Sequence, residues 1–183
     1  MSKNLKSMIV AALFMAIGLV LPQAFHFAPQ VVPMVPIGAI FLPMHIPVLM
    51  CGLILGWKYG LVVGMITPIL SHFFTGGQMP ALPMLQTMIF ELGVYGAVTG
   101  LLIKIVRTKN EYANIYISMI IAMVAGRITF GVLNALIFQQ GTYALQAWLN
   151  FAFIFAWPGI VIQLVFVPSI VFAIKKFTAT AEV

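Results

Sequence analysis

The chain has 183 residues, of which 63% are hydrophobic and only 7% are charged. Its mean hydropathy of +1.13 leaves too little polar surface for a protein dissolved in water. The long apolar runs favour helices over the alternating pattern of membrane barrel strands. We therefore expect an all-α integral membrane protein, with room for about six spans of roughly 20 residues each and no soluble domain.

Apolar runs separated by glycine, proline and charged residues predict six transmembrane helices in a single membrane domain, residues 1–183. Pro22 is expected to close the first helix. The second can begin late, near Met44, because Pro43 and Pro47 disfavour a regular helix before them. The predicted spans cover residues 8–21, 37–55, 60–74, 84–103, 112–138 and 148–174, with a tight turn at Trp57, Lys58 and Tyr59.

The cations outside the spans fall in alternate connections. Short loops rich in Lys and Arg stay in the cytoplasm, and the loops of residues 22–36, 75–83 and 139–147 contain neither. This predicts that the N- and C-termini are both cytoplasmic. The net charge of +6 then reflects topology, and we expect no nucleic-acid partner. The cations concerned are Lys3, Lys6, Lys58, Lys104, Arg107, Lys109, Lys175 and Lys176.

Two charged residues lie inside predicted spans, Glu91 in the fourth and Arg127 in the fifth. Charges in lipid are unfavourable unless they are paired. At ~1.5 Å per residue both lie at a similar depth in the outer third of the membrane, so we expect them to pair. Such a pair can fix helix packing alone, or it can take part in a site for a polar solute; the sequence leaves both open.

Other polar side chains are expected at the same depth as this pair. A channel or a proton path would have polar groups through the whole thickness, whereas the inner part of these spans has few. The pattern predicts a cup that opens outward and binds a solute, with Trp157 as an aromatic candidate for its wall. The proposed site residues are His45, His72, Gln86, Glu91, Arg127, Asn134, Asn150 and Trp157.

Small residues at four-residue spacing mark places where helix backbones approach closely. On the first span, Ala12 and Ala16 lie one turn apart. They can serve internal packing, or form a flat stripe on which another protein docks. A run of glycines through spans two and three predicts a tight hairpin, and a glycine pair recurs on span four: Gly52, Gly56, Gly60, Gly64, Gly96 and Gly100.

Motifs for catalysis and for nucleotide binding are absent from the sequence. There is no phosphate-binding G-x-x-x-x-G-K-[ST] loop, no H-E-x-x-H zinc motif and no G-x-S-x-G nucleophile turn. The single cysteine, Cys51, excludes a disulfide framework. We expect no enzyme activity, no metal and no cofactor in this chain, so any use of ATP requires partner subunits.

Four segments carry a resemblance to a known family. They are Phe41-Leu-Pro-Met-His-Ile-Pro-Val-Leu, Gly52-Leu-Ile-Leu-Gly-Trp-Lys-Tyr-Gly, Thr67-Pro-Ile-Leu-Ser and Phe90-Glu-Leu-Gly-Val-Tyr-Gly. With the six-span plan and the alanine pair, the chain resembles the substrate-binding S component of an energy-coupling factor (ECF) vitamin transporter. Within that family it is similar to the pantothenate and pyridoxine-type subgroup.

The resemblance implies a multi-pass protein of a bacterial plasma membrane. It also implies a transmembrane coupling (T) subunit and two cytoplasmic ATPases as partners, with Ala12 and Ala16 as the docking stripe. Pantothenate is the expected vitamin, because Arg127 can bind its carboxylate. Pyridoxine or another pyridine or pyrimidine vitamin is the alternative if Glu91 already neutralises Arg127. A membrane scaffold whose polar groups only hold helices together is the alternative from another class.

Overall fold

The structure, a computed structural model, describes residues 2–27, 41–138 and 148–181. These residues form helices and contain no β-strand, as the composition predicts. The helices are α1 (Lys3–Phe27), α2 (His45–Leu55), α3 (Trp57–Phe74), α4 (Met84–Ile105), α5 (Glu111–Leu133) and α6 (Trp157–Ala181). Two short π-helical segments, Asn134–Phe138 and Asn150–Phe155, follow α5 and precede α6.

The end of α1 differs from the prediction. Pro22 lies inside the helix, which continues to Phe27. Pro22 cannot donate to the carbonyl of Gly18, yet such a gap is tolerated where a neighbouring helix packs against the backbone. Gly18 is in that position, because a Cβ there would press on the side chain of Thr67 in α3. The predicted loop after Pro22 therefore begins at least one turn later, and residues 28–40 lie outside the described part.

The hairpin between α2 and α3 is tighter than predicted. Helix α2 begins at His45, which confirms the late start inferred from the neighbouring prolines. Trp57, Lys58 and Tyr59 are the first turn of α3, so assigning them to the connection was wrong. The chain reverses at Gly56 alone, whose φ of 91° is favourable only for glycine.

The helices after residue 83 cover the ranges predicted for the last three spans, but π-helical turns interrupt the regular α-helical geometry. Helix α4 extends to Ile105, and α5 continues as a π-helical turn through residues 134–138. The sixth predicted span is interrupted, since Ala156 separates the segment Asn150–Phe155 from α6. Pi-helical turns occur often at functional sites, and here they flank the helices that carry Arg127 and Gln163.

Four helices in the described ranges are long and apolar enough to cross a membrane: Lys3–Ala24, Met84–Ile105, Glu111–Leu136 and Trp157–Lys176. Helix α2 is also apolar but has 11 residues, which span about 16 Å of a ~30 Å hydrocarbon layer. The fold is therefore that of a helical membrane protein.

Helix α4 lies at the centre of the bundle. It packs against α2 and α3 on one side and against α5 on the other. Helix α1 covers α2 and α3, and α6 packs against α2 and α5. The largest buried apolar side chains come from α2, α3, α4, α5 and α6: Leu49, Val48, Val63, Leu92, Tyr95, Ile115, Met119, Val167 and Val171.

Glycines allow the backbone of the α2–α3 hairpin to touch α4. A Cβ at Gly60 would overlap the Gly96 carbonyl, and one at Gly96 would overlap the Gly60 carbonyl. Gly64 meets the Leu92 carbonyl in the same way, one turn further along. The predicted tight hairpin is confirmed, and its glycines also seat it against α4.

The two ends of the bundle are distinguished by their connections. The side chain of Lys104 lies against Gly56, and Lys175 Nζ is 2.9 Å from Glu111 Oε1; we call this the Lys104 end. The opposite end carries the loop of residues 75–83, and we call it the Gly76 end.

Candidate functional site

Three side chains from three helices meet in the half of the bundle nearer the Gly76 end. Arg127 Nη1 donates a hydrogen bond to Glu91 Oε1 at 3.0 Å, as the matched depth of the two charges predicts. His45 Nε2 lies 3.7 Å from the same oxygen. Glu91 in α4 is thus shared between His45 at the start of α2 and Arg127 in α5. We call these three residues the polar triad.

The polar triad is cut off from the surroundings of the bundle. Glu91 is 2% exposed and Arg127 is 5% exposed. Charged side chains almost never reach this burial unless they are paired, and the ion pair leaves the site nearly neutral. Removing either charge would leave the other buried without compensation.

Tyr95 positions His45 and the helix that carries Arg127. Its ring stands edge-on to the His45 imidazole, with 5.0 Å between the centroids and an interplanar angle of 87°. The same ring also rests on Gly126, where a Cβ would overlap ring carbon atoms. Gly126 therefore lets α5 approach Tyr95 closely, which places the next residue, Arg127, beside Glu91.

Trp148 holds the main chain of Arg127. Its indole Nε1 donates to the Arg127 carbonyl at 3.0 Å, and its ring covers Gly131. A carbonyl in mid-helix normally accepts one bond from the residue four positions later, so the indole adds a second donor. The sequence offered Trp148 only as one of several aromatic candidates for the wall of the cup, because an indole that binds a main-chain carbonyl leaves no pattern in the sequence.

Several atoms of the triad lack a partner. In residues 2–27, 41–138 and 148–181, Arg127 Nε and Nη2 and His45 Nδ1 have no hydrogen-bond partner, and His45 Nε2 has the 3.7 Å contact with Glu91 but no shorter one. A buried polar atom without a partner carries a desolvation penalty of about 1–3 kcal/mol, and such atoms are uncommon. These atoms are therefore the first candidates for contact with a bound polar solute.

The other predicted site residues do not join the triad. His72 Nδ1 contacts the Pro80 carbonyl at 2.8 Å, which ties the loop of residues 75–83 to α3. Asn134 donates to the carbonyl of Phe130 on its own helix at 2.8 Å. Gln86 is exposed and Trp157 is 61% exposed, so neither lies in the interior. Asn150 is half-buried in the π-helical segment before α6.

Gln163 is a buried polar residue that the sequence interpretation missed. It is fully buried on α6, and neither its amide nitrogen nor its amide oxygen has a hydrogen-bond partner in the described ranges. The signal was present, since Gln163 is a lone amide in a long apolar run between Ile162 and Leu164. It was overlooked because it lies deeper than the cup that the other polar residues predicted.

The alanine pair on α1 lies on the surface of the bundle. Ala12 and Ala16 are both exposed, one turn apart, while Ala11 and Phe14 on the opposite side enter the core. Internal packing of this pair, one of the two open interpretations, is therefore not what the described residues show. The stripe is flat because its side chains are methyl groups.

The groups that can contact a solute define the chemistry of the site. The described ranges contain no group of three His, Cys, Asp or Glu side chains that could hold a metal ion. The arrangement instead offers donors from Arg127 and His45 and a carboxylate from Glu91, which together can bind a polar solute inside an apolar bundle.

Comparison with known proteins gives one finding. The family profile described as ECF transporter, substrate-specific component, matches residues 6–171. Searches of curated proteins and of solved structures found no match to the chain. The matched range includes every residue of the polar triad and the exposed alanine pair. The chain therefore belongs to the family of substrate-specific components of ECF transporters.

Proposed function

We propose that the chain is the vitamin-binding subunit of an ECF transporter, and that pantothenate is the vitamin. The family supports a substrate-binding transporter subunit. The observation that carries the choice of vitamin is the hydrogen-bonding state of Arg127. Its Nη1 donates to Glu91, while Nε and Nη2 make no hydrogen bond to the described residues, and the Tyr95 side chain is close enough to interact with the guanidinium charge.

Those two nitrogens form one edge of the guanidinium. Their N–H bonds point in parallel and match the two oxygens of a carboxylate, which makes Arg the preferred residue for planar, bidentate recognition. Arg127 therefore keeps N–H donors for a ligand while it is paired with Glu91. Pantothenate carries one carboxylate, and its amide and hydroxyl groups can use His45 and neighbouring polar atoms.

Pyridoxine is the alternative, and the ion pair favours it. Because Glu91 neutralises Arg127 at 3.0 Å, the triad has little net charge to attract an anion. A ring nitrogen and hydroxyl groups can instead interact with the Glu91 carboxylate and with His45. The two vitamins differ in which member of the pair they need, so variants of the pair distinguish them.

Calorimetric titration of the purified chain with both vitamins tests the proposal. Arg127→Met removes charge-assisted hydrogen bonds worth about 1.5–3 kcal/mol, so pantothenate affinity should fall by roughly one to two orders of magnitude. Glu91→Gln releases the guanidinium and should preserve or strengthen pantothenate binding. The same variant should weaken pyridoxine binding.

Two results would contradict the proposal. Equal affinity of wild type and both variants for every ligand would reduce the pair to a packing element. The absence of any small molecule released on denaturation, read by mass spectrometry together with failed titrations, would favour a scaffold protein over a solute-binding subunit.

The proposal includes six spans with both termini in the cytoplasm of a bacterial cell. Its support is that cations distant in sequence share the Lys104 end. Lys58 lies two residues after Gly56, the side chain of Lys104 lies against Gly56, and Lys175 pairs with Glu111. Cytoplasmic loops carry such an excess of Lys and Arg. The polar triad then lies nearer the outer face.

The proposal also includes a coupling (T) subunit and two ATPases, which would supply the ATP-driven step that this chain has no motif to perform. The exposed stripe of Ala12 and Ala16 is the proposed docking surface for the coupling subunit. Small residues support this because they let another helix approach the backbone of α1 closely.

A further inference from the structure

Gln163 stands out among the buried polar residues that the triad does not use. Its carboxamide is fully buried, and both of its polar atoms lack partners within the described part of the chain. Burial removes the hydrogen bonds that the amide N–H and C=O groups would make with water, and no group among the described residues replaces them, so the amide lowers the stability of the fold. On the same face of α6, Ala156, Val167 and Val171 pack into the core, so Gln163 is directed into the bundle.

The depth of Gln163 follows from the register of α5 and α6. The two helices run antiparallel, with Lys175 paired to Glu111 and the Phe172 ring stacked on Tyr112 at 4.1 Å between centroids. Gln163 is as many residues from Lys175 as Met123 is from Glu111, so Gln163 and Met123 lie at one level. Arg127 lies one helical turn beyond, about 6 Å further.

Side-chain direction reduces the difference in level between the polar groups of Arg127 and Gln163. A helical side chain points back toward the N-terminus of its own helix. Helix α5 begins at the Lys104 end, so Arg127 points toward the level of Met123 and Gln163. Helix α6 begins at the Gly76 end, so Gln163 points toward the level of Arg127. Along the bundle axis, the two side chains therefore point toward the interval between their levels.

We propose that Gln163 binds a secondary amide of the solute whose carboxylate lies on the unpartnered edge of Arg127. A carboxamide offers one acceptor and a donor, which matches the N–H and C=O of a secondary amide. The difference in level of about one helical turn suits a short carboxylic acid that carries an amide a few bonds from its carboxylate. This assignment rests on the proposed function and makes Gln163 the residue that selects amide-bearing anions.

The test uses Gln163→Met, which keeps the length of the side chain and removes both polar atoms. Ser169→Ala is the matched control, because Ser169 is an exposed polar residue of α6 whose hydroxyl donates to Val165 on the same helix. The purified full chain is titrated with pantothenate and with the analogue in which an ester oxygen replaces the amide nitrogen.

In wild type and in the Ser169→Ala control, the ester analogue should bind about 10-fold more weakly than pantothenate. Gln163→Met should weaken pantothenate by about 10-fold or more and should no longer discriminate between the two ligands. Without ligand, the Tm of Gln163→Met should equal or exceed that of wild type, because the variant removes an unpartnered buried amide.

Unchanged pantothenate affinity in Gln163→Met, or equal discrimination in both proteins, overturns the assignment while leaving the proposed function intact. A lower Tm without ligand also overturns it, since Gln163 would then be a structural residue. Wild type that binds pyridoxine but not pantothenate contradicts the amide assignment and the choice of vitamin, and leaves the role of a vitamin-binding subunit intact. Wild type that binds neither vitamin defeats the proposed function and this inference together.

Discussion

Glu91 and Arg127 meet because lipid offers no other way to satisfy two charges inside the bundle. The 3.0 Å contact confirms the pairing that their matched depth predicts. Their role in binding stays a prediction. His45 was also proposed from the sequence, and what only the structure adds is its contact with the pair, with Nε2 3.7 Å from Glu91 Oε1.

Gly126 is expected to be as important for the site as the charged residues. Gly126→Ala places a methyl group on the Tyr95 ring, which must then move against His45. Overpacking of this kind costs about 1–3 kcal/mol. We expect a lower Tm and at least a 10-fold loss of vitamin affinity, measured by thermal unfolding and calorimetry.

Ile128→Ala is the control for that substitution. Ile128 lies two residues further along α5 but is exposed on the outside of the bundle, so its truncation should change affinity less than threefold. Equal effects of both variants would mean that Gly126 acts only through the general stability of α5.

Among the helices, the α2–α3 hairpin and α4 depend on backbone contact. Gly60 and Gly96 touch each other's carbonyls, and Gly100 meets the main chain at Gly56 and Trp57. Such contacts arise from dispersion between backbones, since apolar side chains gain little by leaving lipid for a helix interface. The central position of α4 therefore requires glycine on both partners.

Gly96→Ala should separate α4 from the hairpin and lower the free energy of unfolding by about 1–3 kcal/mol or more. Gly93→Ala on the same helix is the control, because a Cβ there meets the flexible side chain of Met65 instead of a main chain. Cys51 is the single cysteine and is buried, so a thiol-reactive dye reports unfolding in both variants. Equal Tm values would disprove the close packing at Gly96.

For the whole molecule, the exposed alanine stripe predicts a separation between binding and uptake. Replacing Ala12 and Ala16 together with Trp should abolish vitamin uptake in cells that contain the partner subunits, because bulk there prevents close helix approach. Binding of the vitamin to the purified chain should stay unchanged, since both positions lie outside the core.

Ile120→Trp, an exposed site on α5, should leave both uptake and binding intact. A parallel loss of uptake and binding in the alanine variant would show that the stripe supports the fold of this chain instead of docking.

The arrangement of cations predicts the orientation in the membrane. In intact cells, cysteines introduced at Gln78 and Gln140 should react with an impermeant thiol reagent, whereas one at Lys109 should not. The unmodified chain is the control, because its only cysteine, Cys51, is buried. Labelling at Lys109 in sealed cells would invert the proposed topology.

The sequence by itself determined the helical membrane class, most helix positions, the Glu91–Arg127 pair and the glycine hairpin. Each follows from a local rule: apolar length, the need to pair charges in lipid, or residue size at a fixed spacing. The end of α1 could not be predicted from a local rule, because its packing on α3 decides whether the helix continues past Pro22.

Tertiary structure alone decided which polar residues share a site. Counting along helices gives depth but not rotation about the helix axis, so Gln86 and Trp157 were predicted at the right level and yet face outward. His72 has its own partner in the loop beside it. Gln163 is identified by its complete burial, and Trp148 by its hydrogen bond to the Arg127 carbonyl.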